Sequence, residues 1–90
     1  MKKIAKYRSN GIRVLKFNIG KNDYDKTMVY YKSGKPKQEK NYKNGNLEGN
    51  LISYWDNGSI HTRGKYKKNR RVGIWETYDR KGKLLLMEEY

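Results

Sequence analysis

The sequence predicts an all-β fold, an antiparallel β-meander of about eight strands. Two observations lead to this prediction: a tyrosine and glycine pattern that recurs every 24 residues, and turn signals that divide the chain into segments of strand length. A third concerns the core, because nine Tyr and two Trp supply apolar area in a chain with few aliphatic residues. A chain of 90 residues also buries a smaller share of its unfolded surface, roughly 60–65%, than larger domains do, so a shallow, extended fold is expected.

The repeat is visible as columns of identical residues. Tyrosine and glycine keep a spacing of four within each unit, and Tyr7 with Gly11 begins a degenerate copy 23 residues before the regular ones. We therefore predict a single domain over 1–90, with about 3.5 repeats of 23–24 residues, degenerate over 4–29 and regular over 30–90. The three clearest columns are Gly34, Gly58 and Gly82; Tyr42, Tyr66 and Tyr90; and Tyr30, Tyr54 and Tyr78.

Turn chemistry places the repeat on strands. Asn44-Gly45 and Asn57-Gly58 are typical of tight hairpins, because both central residues of a type I′ turn need a positive φ. The segments between the turn signals hold Tyr, Trp, Thr and Ile in alternation, as strands do. The predicted strands span 2–8, 12–19, 24–32, 36–43, 47–55, 59–67, 71–79 and 83–90.

Alternation along a strand predicts two faces. In 59–67, the even positions from Ile60 to Tyr66 should face the packed side, and the odd positions from His61 to Lys67 should face the polar side. In the companion strands, a glycine stands two residues before a large side chain, as Gly73 does before Trp75. This arrangement predicts a strand twist, or room for a neighbouring ring over bare backbone.

The segment from Tyr42 to Gly58, Tyr-Lys-Asn-Gly-Asn-Leu-Glu-Gly-Asn-Leu-Ile-Ser-Tyr-Trp-Asp-Asn-Gly, resembles the MORN repeat, and most closely its bacterial variant, often labelled an antitoxin component. The resemblance implies a single-layer sheet of stacked hairpins that binds rather than catalyses. The sequence departs from the pattern at Lys68-Asn69-Arg70-Arg71, which replaces the Asn-Gly turn seen at Asn44-Gly45, and at Asp25, which replaces the second glycine.

Several functional classes are not expected. The longest apolar run, 84–87, is too short to cross a membrane, and the basic N-terminal residues precede no apolar segment of a signal peptide. The absence of cysteine excludes disulfides and thiolate metal sites, and no nucleotide or metal motif is present, so we predict no cofactor. His61, the one histidine, has no carboxylate at strand spacing, which argues against an enzyme. We predict a cytoplasmic location.

Charge is the main functional signal. Lys+Arg number 22 against 9 Asp+Glu, a formal net charge of +13, and neither 1–20 nor 61–71 contains an acid. Such charge either protects exposed strands from aggregation or attracts an anionic partner. The candidate partner-binding residues are Arg63, Lys65, Lys67, Lys68, Arg70, Arg71, Trp55 and His61.

These observations predict a non-catalytic interaction protein that binds, and inhibits or sequesters, a larger acidic or nucleic-acid-associated protein, as an antitoxin or a phage inhibitor does. The alternative is direct binding of RNA or single-stranded DNA, with Lys and Arg on phosphates and Trp55 stacked on bases. Membrane binding ranks third because no amphipathic helix accompanies the charge. Pairing of sheet edges into a homodimer is a further prediction.

Overall fold

The computed structural model describes residues 3–9, 12–18 and 24–90, with side chains described for 24–90. The predicted turn at Gly11 and the side chains of the basic block 1–20 therefore lie outside the described residues. Within the described ranges, no helix is long and apolar enough to cross a membrane.

The chain forms one antiparallel sheet in which each strand pairs with its neighbours in sequence. This arrangement confirms the predicted all-β meander, and its strand ends lie within two residues of the predicted ones. The strands are β1 (Lys3–Ser9), β2 (Ile12–Asn18), β3 (Tyr24–Tyr30), β4 (Pro36–Lys43), β5 (Asn46–Tyr54), β6 (Ile60–Lys67), β7 (Arg70–Tyr78) and β8 (Leu84–Glu89).

Two equivalent hairpins use the same turn despite different sequences. Asn44 and Gly45 have φ of 52° and 82°, and Lys68 and Asn69 have φ of 48° and 68°. Both pairs have positive φ at the two central positions, as a type I′ turn requires. Lys68-Asn69 is therefore the structural equivalent of the Asn-Gly turn that it replaces.

A one-residue β-bulge recurs once per repeat. The register shifts after Val29, Ser53 and Thr77, and the extra residue on the facing strand is Lys37, His61 and Leu85, respectively. The bulge therefore keeps the 24-residue spacing of the sequence. It breaks the simple alternation of faces, because a bulge places two successive residues opposite one.

The small core lies on one face of the sheet. Leu51 and Trp75, one repeat apart, are the two buried hydrophobic residues among the described side chains, at 8% and 4% exposure. Leu51 on β5 pairs with Gly64 on β6. The Trp75 indole reaches from β7, the strand on the other side of β6, and covers Gly64 on the same face of the sheet. The predicted ring over bare backbone thus occurs at Gly64. Gly73 instead has a φ of 70°, next to the register shift between β6 and β7.

Candidate partner-binding surfaces

The sheet presents a core face, which carries Leu51 and Trp75, and an opposite outer face. Arg63 and Glu76 face each other across β6 and β7 on the outer face, and the guanidinium Nε donates to Glu76 Oε1 at 2.9 Å. The Tyr78 hydroxyl donates to the same oxygen at 2.9 Å. The Arg63 hydrogen bond, followed by the Tyr78 one, lowers the pKa of Glu76 below its ordinary value. Arg63 is therefore already compensated by a carboxylate.

Four other cations lie at the end of the β6–β7 hairpin, where the Lys68 backbone N–H donates to Glu48 Oε1 at 3.1 Å. All four are exposed, and none forms an ion pair with a residue in the described part of the chain. Lys67 and Arg70 are directly opposite each other across the hairpin, a like-charge arrangement that favours a counter-charge from outside. We call this set the cationic face: Lys65, Lys67, Lys68 and Arg70.

Arg71 does not belong to the cationic face. Its guanidinium carbon lies 4.6 Å from the centroid of the Trp75 ring and 5.6 Å from that of Tyr90, and its Nη1 donates to the Tyr90 hydroxyl at 3.0 Å. In register it pairs with Tyr66 on the core face. The basic block 61–71 is therefore divided between the two faces of the sheet.

His61 also lies elsewhere than alternation predicts. It is the extra residue of the bulge, its ring centroid is 4.3 Å from that of Trp55, and its Nδ1 is 2.6 Å from Thr62 Oγ1. The expected position of His61 beside Arg63 and Lys65 on the polar side is wrong, because the bulge turns both His61 and Thr62 toward the core face.

Trp55 is held by the scaffold of the repeat. Its Nε1 donates to the Tyr78 carbonyl at 3.0 Å, and the Tyr31 hydroxyl makes the equivalent bond to the Tyr54 carbonyl at 2.7 Å. The Arg80 guanidinium lies 4.8 Å from the centroid of the Trp55 ring, and Arg80 also pairs with Asp56. With Arg80 and His61 against it, Trp55 is not an open stacking platform.

A continuous groove crosses the core face. One part encloses about 440 Å³ near Tyr31 and Trp55, and the next encloses about 290 Å³ near Tyr66 and Trp75. The two parts share Gln38, Ser53 and His61. The groove therefore runs from β3 to β7 along the side of the sheet opposite the cationic face.

The last strand carries exposed apolar side chains that the charge pattern did not indicate. Leu84, Leu85, Leu86 and Met87 are consecutive, and each is more than two-fifths exposed at the edge of the sheet. The signal was present in the sequence as the longest apolar run. Edge pairing into a homodimer stays a prediction.

Among the described residues, no group of His, Asp and Glu could hold a metal ion. The molecule is a β-repeat protein of stacked hairpins, joined from repeat to repeat by side-chain hydrogen bonds to the main chain.

The family model for the MORN repeat variant matches residues 26–44, 47–68 and 71–90, and the chain belongs to this family. MORN repeats are non-enzymatic modules that generally mediate interactions. A search of curated proteins and a search of solved structures each found no match.

Proposed function

We propose that this protein is a non-catalytic interaction protein whose cationic face binds a larger acidic protein in the cytoplasm, and that binding inhibits or sequesters that partner. The observation that carries the proposal is the set of four exposed cations whose charged groups form no ion pair in the described part of the chain. Complementary potential at such a surface increases the association rate and selects against basic partners.

The position of the cations supports a protein partner. Lys65 and Lys67 project from one strand at alternate positions, and Lys68 and Arg70 continue the surface around the turn. The turn is anchored to the preceding hairpin, where the backbone N–H of Asn69 donates to the backbone carbonyl of Leu47 at 3.0 Å. An anchored turn loses little backbone conformational entropy on binding.

The experiment is capture of partners from nuclease-treated lysate on immobilised protein, with quantitative mass spectrometry. The test variant combines Lys65→Glu, Lys67→Glu and Arg70→Glu. The matched control combines Lys32→Glu, Lys81→Glu and Lys83→Glu, which change the net charge equally at exposed positions in other turns. We expect a stoichiometric acidic protein to be recovered by the wild type and the control, and lost by the test variant.

Equal loss by both variants would contradict the proposal, since net charge would then govern capture. Full recovery by both would also contradict it, since capture would not need the cationic face. In a parallel capture from untreated lysate, recovery of nucleic acid without a stoichiometric protein would favour the alternative of direct RNA or single-stranded DNA binding. That alternative also requires affinity that falls steeply with salt concentration. The covered ring of Trp55 argues against the base stacking on which it depends.

A further inference from the structure

The groove across the core face has an unusual lining for a protein surface. None of the described residues that line either part carries a carboxylate. The cations Lys37 and Lys40 line its two parts from β4, and Arg71 lines the end near Trp75. A concave site lined by cations without acids concentrates positive potential and favours an anionic ligand.

The groove also offers hydrogen-bonding groups along its length. Gln38 and Ser53 lie where the two parts meet, and Thr62 follows on β6. The side chains of Gln38, Ser53 and Lys40 form no hydrogen bond or ion pair with any residue in the described ranges. These groups are therefore available to a ligand without the loss of an existing interaction.

The length of the groove fits a short extended chain. It crosses from β3 to β7, and four strand spacings of about 4.8 Å give a length of about 19 Å. An extended peptide rises about 3.3 Å per residue, so about six residues fit. Alternate side chains of such a peptide point to the same side, about 7 Å apart, and can place acidic groups toward the cations.

The aromatic rings favour a peptide over a nucleic acid. Trp55 is covered by His61 and Arg80, and Trp75 is covered by Arg71 with Tyr66 at its edge. Single-stranded nucleic acids bind through the stacking of bases on open aromatic rings. The groups that cover Trp55 and Trp75 prevent this stacking. We infer that this groove is a second binding site, distinct from the cationic face, for an extended acidic peptide segment of about six residues. The inference does not depend on the proposed function of the cationic face.

The test uses the full chain and a blocked hexapeptide of alternating Glu and Ser, with the Gln-Ser hexapeptide as its control. Binding is followed by NMR through the indole N–H resonances of Trp55 and Trp75. We expect saturable shifts of both indoles with the Glu peptide and none with the Gln peptide. Lys40→Gln should weaken binding about five- to tenfold, as loss of a charge-assisted hydrogen bond does.

Two control variants separate the groove from charge in general. Lys81→Gln removes the same charge from an exposed turn outside both surfaces and should change the affinity less than about twofold. Lys40→Arg keeps the charge and should retain most of the affinity. Well-dispersed spectra of all three variants establish that each is folded.

Equal weakening by Lys40→Gln and Lys81→Gln would overturn the inference, because binding would then follow net charge. It would also be overturned if hexauridylate bound more tightly than the Glu peptide and shifted the same indoles, because the occupant would then be a nucleic acid.

Discussion

The indole of Trp75 lies directly on the backbone of Gly64 in the neighbouring strand. A Cβ at Gly64 would lie 2.1 Å from Trp75 Cδ2, far inside van der Waals contact. The indole is 4% exposed, and its Nε1 donates to the Lys65 carbonyl at 3.2 Å. Gly64 is therefore required by close packing, and Trp75 fills the space that the missing side chain leaves.

Gly64→Ala should lower the free energy of unfolding by about 2–3 kcal/mol, because the added methyl forces the indole out of its packed position. Urea denaturation followed by tryptophan fluorescence measures the loss. One repeat earlier, Lys40 stands at the position of Gly64 and Leu51 at that of Trp75, so the smaller leucine accommodates a side chain at the glycine position. Trp75→Leu in the Gly64→Ala background should thus relieve part of the clash. Strictly additive costs in this double-mutant cycle would show that the contact with the indole does not cause the loss of stability in Gly64→Ala.

Trp75→Ala should cost about 3–5 kcal/mol of unfolding free energy, since it removes the most buried side chain among the described residues. Trp55→Ala, at a half-buried position with one indole hydrogen bond, is the comparison and should cost less. Thermal unfolding by circular dichroism orders the two variants. Equal costs would contradict a core centred on Trp75, and a reversed order would place the main core at Trp55.

Asn69 allows a separation of turn conformation from side-chain bonding. Its φ is 68°, its Oδ1 accepts from the Leu47 N–H at 2.8 Å, and its Nδ2 donates to Asn46 Oδ1 at 2.9 Å. Asn69→Gly keeps the turn and loses the bonds, whereas Asn69→Ala loses both. We expect Ala to cost about 1 kcal/mol more than Gly in urea denaturation. The same cost for both would mean that the positive φ carries no strain.

The Arg63–Glu76 pair gives stability a defined pH dependence. Because the hydrogen bond from Arg63 lowers the pKa of Glu76 in the folded state, the pair stabilises the fold above the ordinary pKa of Glu and ceases to do so as the pH falls through the lowered value. Glu76→Gln should therefore reduce the urea midpoint at about pH 7, and its effect should diminish as the pH falls through the lowered pKa of Glu76. A pH-independent difference would mean that the ionised pair contributes nothing.

Much of the fold could be predicted from the sequence because the repeat determines the positions of the strands and turns. The type I′ turn at Asn44-Gly45 follows from residues that tolerate a positive φ, and the alternating segments follow from strand periodicity. The turn at Lys68 was harder to predict. Lysine does not favour a positive φ, and the φ of 48° at Lys68 is imposed by the flanking hairpin.

The candidate site was less predictable because its geometry depends on contacts between strands. Alternation assigned His61 to the outer face, and only the pairing of Ser53 with Thr62 and of Tyr54 with Ile60 reveals the bulge. The open ring expected at Trp55 is covered by Arg80, 25 positions later in the chain. The predicted exposed row of Lys65 and Lys67 is present on the outer face, but its role in binding stays a prediction.

The central claim, that the cationic face contacts an acidic protein, is tested most directly by site-specific photo-cross-linking in nuclease-treated lysate. A photoreactive residue replaces Lys67 in one variant and Lys32, in a distant turn, in the other. We expect a discrete adduct with an acidic protein from the position of Lys67 and none from that of Lys32. Adducts from position 32 alone, or adducts at position 67 that disappear on nuclease treatment, would contradict the claim.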